Sequence, residues 1–324
     1  TSAWPSCARC IASRIRGPEP LIRLASAAGA EHLGRVLVSA AHAKLNLSLA
    51  ITGRRSDGFH ELVSLVAPID LADTLTLDVG RPLGLTCDDA TLPVDGTNLV
   101  LKAAAAYMKR RPSATVGHFH LTKKIPHGAG LGGGSSDAAA ALRLLDEASG
   151  DPLGADVLDG LAAEVGSDCA FFVRGQAAIM RGRGERLEIL PAAARAALAG
   201  RKVVLVKPLF GIPTPEAYGL LAKSGAYRPA AQAEAELAAW LSKPTADPSA
   251  LGNDLAPPVF AKHLALPVAL ESFAQTTGVP WRMTGSGSAC FAFVPAGFDH
   301  ARLRKDVSRA WGAGAWVQET TISA

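Results

Sequence analysis

Residues 123–146, KKIPHGAGLGGGSSDAAAALRLLD, place five glycines between Gly128 and Gly134 directly ahead of an alanine-rich helical stretch. No other segment constrains the fold as tightly. Glycines let the backbone turn so that successive N–H groups face one anion, and the N-terminus of the following helix adds a favourable dipole. Ser135, Ser136 and Asp137 fall where the cap and first turn of a helix over 136–148 are expected, after a strand ending at Pro126. Gly128, Gly130 and Gly133 satisfy the dinucleotide spacing, but that version of the loop opens a repeating βαβ domain, and this one lies deep in mixed α and β sequence. A Walker loop ends in Gly-Lys-Ser/Thr, whereas Lys123 and Lys124 precede the glycines here. The residues themselves predict a phosphate cradle of a third kind; a serine-capped surface turn is the plain alternative.

The surrounding pattern predicts an α+β protein. Residues 43–51 alternate, with Leu45, Leu47, Leu49 and Ile51 on one face and Lys44, Asn46 and Ser48 on the other, which reads as a half-buried strand. An apolar run follows at 62–69, then strands at 74–79 and 116–122, with helices over 97–110 and 136–148. After an alanine-rich connector at 191–200, strands are expected at 202–206 and 289–294 and helices at 214–223, 231–242 and 257–275. Hairpin-like strands mixed with helices argue against a regular parallel array. A boundary near 196 divides the chain into residues 36–196 and 197–324. Residues 1–35 carry no core periodicity and are expected to be a flexible extension.

Composition narrows the classes. The chain has 324 residues, 48% hydrophobic and 19% charged, so it can bury a large core and is not a disordered protein. No apolar run approaches the ~20 residues needed to cross a bilayer, so no membrane association is expected. Of the net charge of +4, three units lie in residues 1–38, where Arg9, Arg14, Arg16, Arg23 and Arg35 face only Glu19 and Glu31. The body is therefore nearly neutral and gives no support to a nucleic-acid face. Cys7 and Cys10 form a lone C-x-x-C with no second ligand pair nearby, and five cysteines without a framework fit a reducing cytoplasm. His118 and His120 share a strand face, but no third ligand accompanies them, so no protein-held metal is expected.

Four segments carry a resemblance. Pro126-His127-Gly128-Ala129-Gly130-Leu131-Gly132-Gly133-Gly134-Ser135-Ser136 resembles the phosphate loop of the GHMP kinases. The variant GLGGGSSDAA, together with Ala43-Lys44-Leu45-Asn46-Leu47 and Asp57-Gly58-Phe59-His60-Glu61-Leu62, resembles the 4-diphosphocytidyl-2-C-methyl-D-erythritol kinase family within that superfamily. Gly166-Ser167-Asp168-Cys169-Ala170-Phe171-Phe172 resembles its catalytic-aspartate segment, with Ala170 where proline is usual, and His42 likewise stands where proline is common. Read on their own residues, Lys44 would be a solvated strand lysine and Asp168 a turn or cap residue before an apolar strand.

The resemblance covers about Ala43 to Val294. It implies the two-domain GHMP fold: an N-terminal domain like domain 2 of ribosomal protein S5, then a C-terminal α+β domain. It implies ATP-dependent phosphorylation of the 2-hydroxyl of 4-diphosphocytidyl-2-C-methyl-D-erythritol in the non-mevalonate isoprenoid route. Asp168 would take the hydroxyl proton, and Lys44 would balance the charge of Asp168 and of the transferring phosphoryl group. ATP would lie on Pro126, Gly128, Gly130, Leu131, Gly132, Gly133, Gly134, Ser135, Ser136 and Asn98, with Mg2+ placed by the hydroxyl of Ser135 or Ser136. Asn46, Phe59, His60, Thr214, Tyr218, Gly287 and Ser288 would hold the cytidyl substrate. The expected partner is this small molecule, and the expected state is a monomer or homodimer. A mevalonate- or homoserine-type kinase would share the loop, but AKLNL and DGFHEL argue against it. A catalytically silent binding module would lack the Lys44/Asp168 pair.

Overall fold

The computed structural model describes residues 34–244, 248 and 251–323. The Cys7/Cys10 pair and all of the proposed extension except Gly34 and Arg35 lie outside the described residues.

One strand organises the first half. β1 (Val36–Asn46) and β2 (Ala50–Arg54) pair antiparallel along one edge of β3 (His60–Val79). Its other edge takes β5 (Gly117–Thr122) and β6 (Ala178–Gly182), beyond which lie β4 (Gly84–Cys87) and β7 (Arg186–Ile189). The apolar run at 62–69 and the alternating stretch at 74–79 are thus parts of one 20-residue strand. Helices α1 (Leu99–Arg110), α2 (Gly133–Ala148), α3 (Ala155–Val165) and α4 (Cys169–Arg174) cover the sheet. Ala138 to Ala141 of α2 are fully covered. Their small side chains allow close backbone approach, and a stretch of helix that is apolar all round belongs in the interior.

The second half opens with the short helix α5 (Ala192–Leu198). Its sheet has the order β11-β8-β10-β9, built from β8 (Lys202–Lys207), β9 (Arg282–Met283), β10 (Cys290–Phe293) and β11 (Trp316–Thr321). All its pairings are antiparallel. Helices α6 (Thr214–Ser224), α7 (Ala230–Ser242), α8 (Ala256–Lys262), α9 (Ala265–Thr277) and α10 (His300–Trp311) complete it. The two apolar clusters each draw on both sheets, Leu37 with Val204 in one and Leu45 with Leu205 in the other. No helix among the described residues is long and apolar enough to cross a membrane.

Four expectations change. The strand over 43–51 breaks at residues 47–49, and the whole stretch is buried on both faces. Its polar row is therefore largely covered, with Lys44 and Asn46 at the wall of a cavity rather than on the outer surface. Residues 169–174 form a helix, not a strand, because a short apolar run has no period that distinguishes the two. The helix after the glycines starts at Gly133 with Gly132 as its cap in the left-handed region, so Ser135 and Ser136 sit inside the first turn. The helical stretch over 257–275 is broken at His263 and Leu264 into α8 and α9.

Candidate active site

The register between β1 and β3 slips between His42 and Lys44, where the chain delivers Lys44 to a cavity of about 1140 Å³. Such irregularities re-aim side chains beside functional sites. The buried Lys44 ammonium donates to Asn46 Oδ1 and lies 3.5 Å from Asp168 Oδ2. Asn46 in turn donates to Ser64 Oγ at 2.8 Å, and its backbone N–H donates to Thr284 Oγ1 at 2.9 Å. The two polar residues of β1 that the sequence pattern placed on one face are thus held by a continuous network.

Asp168 stands at the N-terminus of α4 but makes no capping hydrogen bond with its side chain. Its carboxylate is accordingly left to the cavity, where it is about one-third exposed. The turn between β6 and β7 closes over it: a Cβ on Gly184 would lie 3.4 Å from Asp168 Oδ1.

The glycine loop is clamped from both sides. Leu131 O accepts from Lys44 N at 3.0 Å, and Ala129 O accepts from Ala289 N at 3.2 Å. Gly130 (φ 75°) rests on the turn over 284–287, where a Cβ would meet Thr284 O at 2.6 Å. Gly132 (φ 74°) would meet the Phe172 ring at 2.6 Å. Pro126, Gly128, Gly130, Leu131, Gly132, Gly133, Gly134 and Ser135 all line the cavity. Ser136 does not; it is buried beneath the first turn of α2. Asn98 lines the far end of the cavity, but its amide is engaged as the cap of α1, accepting from Val100 N at 3.0 Å and donating to Pro93 O at 2.7 Å.

Behind the loop lies a cluster that sequence reasoning missed. Lys123 bridges Asp73 Oδ2 and, at 2.8 Å, Asp137 Oδ2, while Asp73 Oδ1 accepts from Lys124 N at 2.5 Å and Ile125 N at 2.8 Å. The charges therefore tie β3 to both ends of the loop. Lys123 and Asp137 flank the glycines in sequence and could have been singled out; Asp73, one acid in a long strand, carried no signal. Burial works against the Lys123 ammonium, but Asp137 and Asp73 outweigh it and hold its pKa above the usual value. Burial pushes the Asp137 carboxyl up to about 7, against the pull of Lys123. An acid whose pKa is raised from 3.8 on folding contributes stability that is full below its unfolded value and is lost as pH rises through about 7. Asp137→Asn is expected to flatten that loss, so that Tm falls less steeply between pH 5 and 8 than in the parent protein. An identical pH slope in the two proteins would assign the effect to another group.

At the opposite end, the His60 and Tyr218 rings lie 4.9 Å apart, and Tyr227 Oη is 3.4 Å from His60 Nε2. Phe59 is 47% exposed, with the Arg183 guanidinium 5.0 Å from its ring centroid. Burial lowers the His60 pKa and the charge of Arg54 lowers it further, both favouring the neutral ring. Burial, then the charge of Asp168, raises the Tyr218 phenol, which stays protonated. Thr214 lines this end and its hydroxyl is 3.1 Å from that of Ser286.

Gly287 and Ser288, expected to contact the substrate, are not part of the lining. Ser288 is fully buried and donates to Phe210 O at 2.6 Å, and Gly285 and Ser286 face the cavity in their place. A tight glycine turn presents only some of its residues to either side, and spacing does not say which. Asn253 holds this turn, donating to Met283 O at 3.0 Å and Gly285 O at 2.9 Å.

Residues 98–176 match the GHMP kinases N terminal domain. The chain is 40% identical over 301 residues to a 4-diphosphocytidyl-2-C-methyl-D-erythritol kinase of Synechococcus sp., covering 87% of this chain and 96% of that one. It is 38% identical over 299 residues to the enzyme of that name from Rhodopseudomonas palustris, covering 87% and 96%. A crystal structure of 4-(cytidine 5'-diphospho)-2C-methyl-D-erythritol kinase superposes with a TM-score of 0.68 at 33% identity, over 88% of this chain and 100% of the other. Homoserine kinase from Cytophaga hutchinsonii superposes with a TM-score of 0.67 at 16% identity, over 91% and 98%, which shows a shared fold. On its sequence identity across most of its length, the chain belongs to the 4-diphosphocytidyl-2-C-methyl-D-erythritol kinase family.

Proposed function

We propose that this protein transfers the γ-phosphoryl group of ATP to the 2-hydroxyl of 4-diphosphocytidyl-2-C-methyl-D-erythritol, a step on the non-mevalonate route to isoprenoid precursors. The observation that carries the proposal is the position of the Lys44–Asp168 pair. It lines one cavity together with the glycine loop and the His60/Tyr218 aromatic pair. Phosphoryl transfer asks mainly for positioning and charge neutralisation. The loop over 128–135 lines the cavity with glycine backbone, the Cβ positions at Gly130 and Gly132 being turned onto Thr284 and Phe172, which suits close approach of a triphosphate to the main chain. Ser135 is the serine of the pair that lines the cavity, and its hydroxyl would help hold Mg2+, whose chemistry is to neutralise phosphate charge. Asp168 is placed to accept the hydroxyl proton, and Lys44 to offset negative charge beside it.

On this reading residues 36–196 supply the donor loop, the Lys44–Asp168 pair and the Phe59-His60 segment. Residues 197–324 close the acceptor side with Thr214 and Tyr218. The thiols of Cys87, Cys169 and Cys290 are free, which supports a cytoplasmic setting.

The direct test is ATP turnover with the cytidyl compound, mevalonate and homoserine as rival acceptors. Faster turnover of either rival would overturn the assignment. A second expected outcome concerns the acceptor end. Stacking on a flat base is worth roughly 1–3 kcal/mol, and an unsatisfied buried edge costs about 1–3 kcal/mol. His60→Ala is expected to raise KM for the cytidyl substrate at least ~10-fold while KM for ATP changes little. A loss confined to ATP would move this segment to the donor side.

A further inference from the structure

The hairpin of β6 and β7 carries three arginines with different fates. Arg181 is paired with Glu188 at 2.7 Å and Glu234 at 2.8 Å, and Arg186 is paired with Glu61. Arg183, at the turn between them, has no ion pair and no side-chain hydrogen bond to any described residue. Its guanidinium lines the cavity and lies 5.0 Å from the centroid of the Phe59 ring. Two acids lie near it and neither pairs with the guanidinium: Asp57 feels its charge but is bonded to Arg55 at 3.0 Å, and Glu185 Oε2 accepts from the Arg183 backbone N–H at 2.7 Å. A partly buried, unpaired guanidinium facing a cavity is a poised anion receptor, because its planar fork matches phosphate oxygens and is weakly hydrated.

Its position selects which anion. Arg183 touches Phe59 on one side, and on the other its chain neighbour Gly184 is the residue packed against Asp168. It therefore stands between the aromatic end of the cavity and the proton acceptor. In an acceptor whose base lies on the rings and whose hydroxyl lies at Asp168, the group between those two points is the diphosphate. Arg54 adds positive charge at the same end: it is unpaired among the described residues, lines the cavity and pairs in register with His60. The triphosphate of the donor, by contrast, is served by the glycine loop, where Lys123 is already neutralised by Asp73 and Asp137.

We propose that Arg183, assisted by Arg54, is the receptor for the diphosphate of the acceptor, and that it sets the preference for a nucleoside-diphosphate acceptor over an uncharged one. The proposal rests on the assignment of the acceptor made above.

Calorimetric binding of CDP and of cytidine, each in the presence of saturating ADP to fill the donor loop, separates the two. The parent protein is expected to bind CDP more tightly than cytidine. Arg183→Met should weaken CDP at least ~10-fold, with cytidine changed less than ~2-fold and KM for ATP within ~2-fold; Arg183→Lys should recover part of the loss. A parallel weakening of CDP and cytidine would show that Arg183 only braces Phe59 and would overturn the proposal, as would unchanged CDP binding. A parent protein that binds neither CDP nor cytidine would instead bring down the acceptor assignment itself. Circular dichroism and Tm of both variants establish that the hairpin remains folded.

Discussion

Asp168→Asn is expected to lower kcat by about 10²–10⁴ while KM for ATP stays near the parent value. The substitution keeps the shape of the side chain at the start of α4 and removes only its charge and its capacity to take a proton. The size of the effect follows from what else the residue does, which is little. Its side chain caps no helix and touches the cavity, and its ionic partner is Lys44 at 3.5 Å. A structural role would appear as a fall in Tm with kcat largely kept; a catalytic role appears as the reverse. Steady-state kinetics and thermal unfolding on the same preparation decide between them. Turnover close to the parent rate would remove Asp168 from the mechanism.

The second large effect is expected at Gly130, where one added methyl group must displace backbone. Gly130 has φ 75°, and the nearest atoms to a Cβ there are Thr284 O at 2.6 Å, Gly287 N at 3.0 Å and Gly287 O at 3.1 Å. None is the tip of a flexible side chain. The left-handed conformation costs an L-residue roughly 1–2 kcal/mol, and overpacking adds about 1–3 kcal/mol. Either the loop lifts from the turn over 284–287 or the turn retreats and carries Ser286 with it. A displacement near 1 Å at a phosphate cradle costs on the order of 10² in rate. Gly130→Ala is therefore expected to lower kcat/KM for ATP by at least about 10² and to lower Tm as well. Gly134→Ala, where the nearest atom to an added Cβ is Leu99 Cδ1 at 3.6 Å, meets only ordinary contact and should fold normally. Equal behaviour of the two variants would show that the loop does not rest on the second half of the chain as the structure has it.

The sequence by itself determined the family and most of the elements, and it raised the expectation of a phosphate-binding loop. Glycines followed by a helix have few physical uses, and periods of two and near four residues are local properties that any short window reveals. It also determined which residues were worth suspecting, because Lys44, Asp168 and Phe59-His60 lie in segments whose spacing is distinctive. It did not determine which of them meet. Asp73 joins Lys123 across 50 positions, and Thr284 holds Asn46 across 238. Separations of that size leave no trace in a local pattern. The helix at 169–174, the burial of both faces over 43–51 and the exclusion of Ser136, Gly287 and Ser288 from the cavity were likewise decided by packing, since a side chain's neighbours across a turn depend on the whole fold. The division also runs the other way. The backbone superposes on homoserine kinase with a TM-score of 0.67 and on the cytidyl kinase with 0.68, so the tertiary fold hardly separates the two. Backbone geometry is set by core packing, whereas on the proposed reading the choice of acceptor rests with a few side chains at one end of a cavity. The identities of those side chains are written in the sequence, and only the folded chain brings Phe59, Arg183 and Tyr218 to the same wall as Asp168.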